Sequence, residues 1–250
     1  DRIDDLKNGI RKKTIVFANR YDGIDLPDDS CRILILDNIP YGQTLEDKYF
    51  EDVRSNSQLI NIKVAQKIEQ GLGRGVRGEK DYCFILLTGG RLVSAVKNPR
   101  FKKFFSSQTQ QQIDIGVEVT KYAVEDTKKK ESKQIVVDAM NQMLSRDEGW
   151  KSFYRFKMNE IDEKKRDDTI LDILEIERNA EIAFAQGNYP RAKDQIYNII
   201  NQYCKDDILE KGYYQQEMAR MTYPMSKVDS NKLQISAHRD NNTLLRPKDG

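Results

Sequence analysis

The stretch "QGLGRGVRGEKDYC", residues 70–83, decides the reading of this chain. It holds Gly71, Gly73, Gly75 and Gly78 with Arg74 and Arg77 among them, and it runs into the apolar segment Phe84–Leu87. Glycines at this density can wrap a phosphate; arginines three apart can reach one held elsewhere. A dinucleotide fingerprint needs G-x-G-x-x-G directly after a strand and opening a helix. Here Val76 stands where the third glycine is required, and the segment closes a helical pattern. The spacing G-x-x-x-x-G-K-[ST] is met between Gly73 and Gly78, but Glu79-Lys80 follows, so the lysine is displaced and no hydroxyl is offered to magnesium. The glycine-loop reading fails on position and on chemistry. The arginine reading survives: Arg74 and Arg77 at i and i+3 project together, and a guanidinium is a permanently charged planar fork suited to a phosphate. Its plain competitor is a basic pair favoured at a helix C-terminus.

Working outward, three apolar runs predict strands: Thr14–Ala18, Arg32–Asp37 and Tyr82–Thr88. Each is rich in Ile, Val, Leu or Phe with little alternation, as in parallel strands covered on both faces. A helical pattern from Leu45 to Gln70 separates the second from the third, which suits a β–α–β crossover. After Pro99 the pattern turns helical, over roughly 106–124, 131–146 and 148–164, with "KKKESK" as a charged joint. Further on, "AEIAFAQGNYPRAKDQIYNII" sets Ala180, Ala183 and Ala192 on two helical stretches joined by Gly187-Asn188-Tyr189-Pro190. That spacing resembles a tetratricopeptide-type hairpin, with a second over 207–239; a plain helical bundle fits it as well.

Composition bounds the function. Hydrophobic residues make up 38 % and charged residues 33 % of 250, with a net charge of +2, so no bulk electrostatic case exists for nucleic acid. Residues 1–105 carry 19 Lys+Arg against 15 Asp+Glu, and the remainder 23 against 25. Cys31, Cys83 and Cys204 are odd in number and far apart, and His238 is the single histidine. This argues against a disulfide framework, a zinc site or an iron–sulfur cluster, and no metal site is expected. Cys31 and Cys83 read as inert core thiols, and His238 as a packing or surface residue. With no signal peptide and no apolar run long enough for a membrane, an intracellular, cytoplasmic protein is expected. The start at Asp1 and the polar end at Gly250 read as a segment of a longer protein.

The glutamine, glycines and arginines of Gln70-x-x-Gly73-Arg74-x-x-Arg77-Gly78 with Asp81-Tyr82 resemble motif VI of superfamily 2 helicases, closest to the XPD/DinG-like form. Upstream, "ANRYDGIDLPDDSCRILILDNIPY", residues 18–41, resembles motif V of the same group: Asp22, Gly23, Ile24 and Asp25, then a strand ending at Pro40-Tyr41. Residues 111–124 resemble the helix that follows that lobe. The resemblance spans 14 to about 124. It implies an α/β fold: a partial RecA-like parallel sheet lobe over 1–105, incomplete at its N-terminus. A helical continuation follows over 106–165, and then all-α hairpins over 166–250.

The roles that follow are implied by the resemblance. Arg74 and Arg77 are arginine fingers reaching an ATP, with magnesium, bound mainly by a first RecA-like lobe of the same protein. Gln70 holds the fingers and senses the nucleotide. Gly23, Asp25 and Gly73 lie at the ATP, Gly23 allowing close backbone approach. Ala18, Asn19 and Arg20 face the nucleic-acid backbone, with DNA placed ahead of RNA. Cys83 replaces a glycine of the group's pattern, and Gly89-Gly90 replaces an acidic position before Arg91. No lysine loop and no acidic box occur in the chain, so by itself it is not expected to turn over ATP. The strip "VKNPRFKKFF" adds Lys97, Arg100, Lys102 and Lys103 interleaved with Phe101, Phe104 and Phe105. That mix suits single-stranded nucleic acid, or an amphipathic helix with its rings in the core. In "GWKSFYRFKM", Trp150, Phe153, Tyr154 and Phe156 have the spacing of a buried helix face. The competing function is a non-catalytic scaffold, in which a degenerate lobe and helical hairpins hold a protein partner.

Overall fold

The computed structural model describes residues 2–10, 13–18, 26, 28–40, 42, 44–55, 57–73, 82–126, 131–161 and 168–245. The chain divides into two compact units: Asp1–Tyr41 with Ile62–Lys164, and Gly42–Asn61 with Lys165–Gly250.

In the first unit, β1 (Ile33–Asp37) and β2 (Phe84–Thr88) pair in parallel, in a register running from Ile33 opposite Phe84 to Asp37 opposite Thr88. Two of the three expected strands are therefore present among the described residues. Residues 14–18 are not a strand: their backbone is irregular and Val16 is 87 % exposed, although Phe17 packs with Leu26 and Leu34. A run of β-branched and aromatic residues becomes a strand only where a neighbour accepts its N–H and C=O groups. No ladder among the described residues reaches this one.

The expected single crossover helix is two: α2 (Leu45–Val53) and α3 (Gln58–Leu72), broken where Ser57 N–H donates to Arg54 C=O at 2.8 Å. On α3, Val64, Ala65, Ile68 and Leu72 share one face and pack on Leu36 of β1. The same core takes Leu92 and Val96, one turn apart on α4 (Gly90–Lys97), and Ile113 of α6 (Ser107–Asp126). Between them lies the short α5 (Pro99–Lys102), whose N-cap Asn98 accepts from the Arg100 N–H at 2.9 Å. Helices α7 (Ser132–Leu144) and α8 (Glu148–Asn159) complete the helical stretches of this unit, after the short α1 (Arg2–Lys7) at its start. Gln112 donates to the Tyr154 hydroxyl and Gln111 to the Lys157 carbonyl, both at 2.9 Å, joining α6 to α8. Trp150, Phe153 and Tyr154 are half-buried against one another, whereas Phe156 is 62 % exposed, so the α8 apolar face is narrower than its aromatic spacing suggested.

The second unit stacks consecutive helices: α9 (Thr169–Ala185) on α10 (Tyr189–Tyr203), α10 on α11 (Ile208–Thr222), and α11 on α12 (Lys227–Asp240). Small residues permit the close packing. Ala180, Ala183 and Ala192 are buried at the first hairpin, whose turn uses Gly187 at φ 75°. A Cβ on Gly212 would lie 2.5 Å from Asn241 Cβ and 2.9 Å from the Ala237 carbonyl, so α11 can approach α12 this closely only through glycine.

Helix α2 belongs to this unit. Its Val53, Tyr49 and Phe50 pack with Tyr213, Ala237 and Leu244. Arg54, 4 % exposed, binds both carboxylate oxygens of Glu210, donates to the Tyr214 hydroxyl at 3.0 Å and lies 4.2 Å over the Tyr213 ring. Asn241, fully buried, donates to the Val53 carbonyl at 2.7 Å and the Leu209 carbonyl at 3.0 Å. Burial opposes the Arg54 charge, but the Glu210 hydrogen bond and carboxylate outweigh it and raise its pKa above the ordinary arginine value.

Candidate functional site

Helix α3 carries the opening stretch to its edge. Ile68 is fully buried and Gly71 buried, while Gln70 and Gly73 face out. Glu69 fixes that end: its carboxylate accepts from the Ser106 N–H at 2.8 Å and the Ser106 hydroxyl at 2.7 Å, just ahead of α6. The last helical bond, from Gly73 N–H to the Glu69 carbonyl, is 2.9 Å. Gln70 is therefore an exposed amide on a helix end clamped to the core. Arg74 and Arg77 lie outside the described residues, as do Asn19, Arg20, Gly23 and Asp25. Ala18 is described and is exposed.

The chain returns at Tyr82, which is held on both sides. The Arg32 guanidinium lies 3.9 Å from the ring centroid and donates to the Tyr82 carbonyl at 3.0 Å, and the Arg146 guanidinium lies 4.8 Å from the ring. Stacking of this kind contributes roughly 0.5–1 kcal/mol per cation at exposed sites. Segment 74–81 thus departs from one fixed point, the Glu69–Ser106 clamp, and arrives at another. Neither anchor was singled out from sequence. Tyr82 lay within the motif, but Arg32, Arg146 and Ser106 meet it or α3 only through the fold.

The carboxyl ends of the two strands, where open α/β sheets bind ligands, form a tight backbone crossing. Thr88 donates its hydroxyl to Asp37 at 2.9 Å, and Asn38 N–H donates to the Thr88 carbonyl at 3.1 Å. Asn38 and Gly89 both have positive φ, 63° and 84°. A Cβ on Gly89 would sit 2.3 Å from Asn38 Oδ1, which accounts for a glycine at this position.

Of the basic strip, Lys97, Arg100 and Lys103 are exposed, whereas Lys102 is half-buried and paired with Asp114 at 2.5 Å. The rings between them pack inward. Phe105 is 4 % exposed, and Phe101 packs edge-on against both Phe104 and Phe105 in the core. Among the described residues no three His, Cys, Asp or Glu gather as a metal site, and no helix is long and apolar enough to cross a membrane.

Residues 5–112 match the family model described as the helicase C-terminal domain. That match supports a C-terminal helicase lobe over this part of the chain, the reading the two motif resemblances implied. The match takes in β1, α2, α3, β2, α4 and α5 with the opening turns of α6, and leaves α7–α12 outside it. No curated protein and no solved structure matches the chain.

Proposed function

We propose that this chain is the second motor lobe of an ATP-dependent, superfamily 2 nucleic-acid helicase or translocase. The observation that carries this reading is the family match over a stretch whose motif VI helix ends in an exposed Gln70 on a clamped turn. Such an end can present a loop to a ligand on a facing lobe without itself moving. In this reading Arg74 and Arg77 act as fingers toward an ATP held by a first RecA-like lobe, with Gln70, Gly73, Gly23 and Asp25 beside them. ATP, when bound, supplies the phosphoryl group. This chain's side chains supply positive charge and orientation, and only when the lobes close. Phosphoryl transfer is mostly positioning and charge neutralisation, so delivering the arginines on closure makes hydrolysis conditional on closure. An exposed amide and two guanidiniums fit the nucleotide's phosphates; no described carboxylate cluster fits its magnesium, which this reading assigns to the first lobe. Ala18, Asn19 and Arg20, with exposed Lys97, Arg100 and Lys103, are proposed to track a nucleic-acid backbone, DNA ahead of RNA. The test is nucleic-acid-stimulated ATP turnover by a protein carrying both lobes. Turnover that survives loss of both arginines would remove the mechanism.

The stacked hairpins α9–α12 favour an added role in holding a protein partner. They leave a pocket of about 470 Å³ lined by Phe184, Glu217, Arg220, Tyr223 and Pro224, with Tyr223 54 % exposed. Tyr223→Ala in a protein with both lobes that spared turnover but abolished complex formation would support it, and unchanged complex formation would count against it.

A further inference from the structure

Cys31 and Cys83, distant in the chain, each stand just ahead of a strand of the same parallel pair. The register sets Ile33 against Phe84, and the Phe84 N–H still donates to the Arg32 carbonyl at 2.9 Å. Cys31 is thus placed diagonally across from Cys83. With strands about 4.8 Å apart and a rise of about 3.3 Å per residue, that diagonal separates two Cα atoms by about 5.8 Å. Disulfides usually span about 4.4–6.8 Å. A bend at Arg32 interrupts the alternation that would send the two side chains to opposite faces, and both join one apolar cluster with Ile3, Leu6, Phe17 and Leu26. Within it the Cys31 thiol donates to the Ile33 carbonyl at 3.6 Å and the Cys83 thiol to the Phe84 carbonyl at 3.7 Å, and each packs in the other's cluster.

Their chemistry is asymmetric. The neighbouring Cys83 thiol favours the Cys31 thiolate and holds its pKa below the ordinary thiol value, burial opposing and Arg32 assisting. The neighbouring Cys31, then burial, raises Cys83 above the ordinary thiol value. A thiolate beside a protonated thiol is a nucleophile with a resolving partner. Cys31 is 8 % exposed and Cys83 partly exposed, which admits a small oxidant better than a bulky disulfide.

We propose that Cys31 and Cys83 form a peroxide-sensitive dithiol that closes to a disulfide across the amino ends of β1 and β2. The Cys31 thiolate attacks hydrogen peroxide; an S–O bond forms, the O–O bond breaks, and the departing hydroxide takes a proton to become water. Cys83 sulfur then attacks the Cys31 sulfenic acid. The S–S bond forms, the S–O bond breaks, and the Cys83 proton leaves with the hydroxyl as a second water. Two thiols are oxidised and one peroxide is reduced. Cys83 follows the segment bearing Arg74 and Arg77, and Cys31 follows the one bearing Gly23 and Asp25, so the bond ties the downstream ends of both. Lower ATP turnover on oxidation is the expected consequence. That consequence rests on the function proposed above; the disulfide does not.

The experiment treats the folded chain with hydrogen peroxide, alkylates it, and maps its peptides without reduction. The expected result is a Cys31–Cys83 linked peptide, two hydrogens lighter than the reduced pair and released by dithiothreitol. Cys83→Ser, or Cys83→Ala should the serine variant unfold, should abolish the link. Cys204→Ser should change nothing. Both thiols remaining free after peroxide, or linkage only between chains, would overturn the proposal. In a protein with both lobes, oxidised turnover should fall, recover with dithiothreitol, and be insensitive in Cys83→Ser. A linked peptide with unchanged turnover would overturn the regulatory consequence alone, and absence of turnover in the reduced protein would instead count against the proposed function.

Discussion

Replacing Arg54 by alanine removes a guanidinium that is 4 % exposed and leaves the Glu210 carboxylate, 13 % exposed at its side chain, without its main counter-charge. Glu210 keeps a 3.1 Å hydrogen bond from Ser57, which cannot neutralise it. Tyr214, 1 % exposed, loses a donor at 3.0 Å but retains Glu177 as acceptor at 2.5 Å. Breaking a buried pair by deleting one partner costs about 3–5 kcal/mol, because a charge is stranded in poor solvent. Arg54→Ala should therefore destabilise the second unit by about that amount, seen as a lower urea midpoint for its helical signal. Glu210→Ala should cost less, because Arg54 keeps the Glu177 carboxylate at 3.9 Å. The double variant should cost less than the two together, by a coupling of about 0.5–3 kcal/mol, since removing the partner removes the pair's stranded charge. Arg54→Met with Glu210→Leu, which restores apolar volume, should come close to wild type. A loss below about 1 kcal/mol in Arg54→Ala, or strict additivity in the cycle, would refute the buried-pair argument.

If Arg74 and Arg77 are fingers, alanine at either should lower kcat in a two-lobe protein by about 10³–10⁵ with melting temperature nearly intact. A basic pair that merely caps α3 would instead cost roughly 0.3–1 kcal/mol of stability and spare kcat. Gly89→Ala should destabilise the first unit by about 1–3 kcal/mol, because residue 89 has φ 84° and its new Cβ would meet Asn38 Oδ1. Adding Asn38→Gly should recover part of that loss in the same denaturation assay; no recovery would show that the contact with Asn38 contributes nothing. Burial, with Glu210 and Asp207 adding to it, pushes Cys204 from 9.0 up to about 12, so the folded state holds its proton where the unfolded chain releases it. The stability this contributes is complete below pH 9.0 and is lost as pH rises to about 12; Cys204→Ala should flatten that slope.

Much of the first unit was legible locally. The runs RILILD and YCFILLT are unbroken apolar sequences bounded by polar residues, and both became strands with ends shifted by at most two residues. The two helicase-like motifs, in order along the chain, pointed to the lobe that the family match supports. The turn at Gly187-Asn188 was readable because few other residues accept φ 75° there, and Asn188 caps the next helix by accepting from the Arg191 N–H. TIVFA looked no different from the other two runs and formed no ladder among the described residues, since pairing depends on what lies alongside.

Sequence by itself determined the two strands and the helical character after Pro99, because these follow from apolar runs and spacing within a few turns of chain; the lobe's class came from resemblance of its motifs. Only the tertiary structure decided that Phe101, Phe104 and Phe105 face the core while Lys97, Arg100 and Lys103 face water, since the strip satisfies either orientation until α3 and α6 present their apolar faces. The same holds for α2, which lies inside the family match yet packs with the helices after α9. Arg54 finds Glu210 at 156 residues' remove, and nothing near either residue encodes the other. Cys31 and Cys83 read separately as inert thiols and became a pair through the strand register. Each of these depends on long-range contacts, whose energy exists only once the backbone has closed the intervening loop.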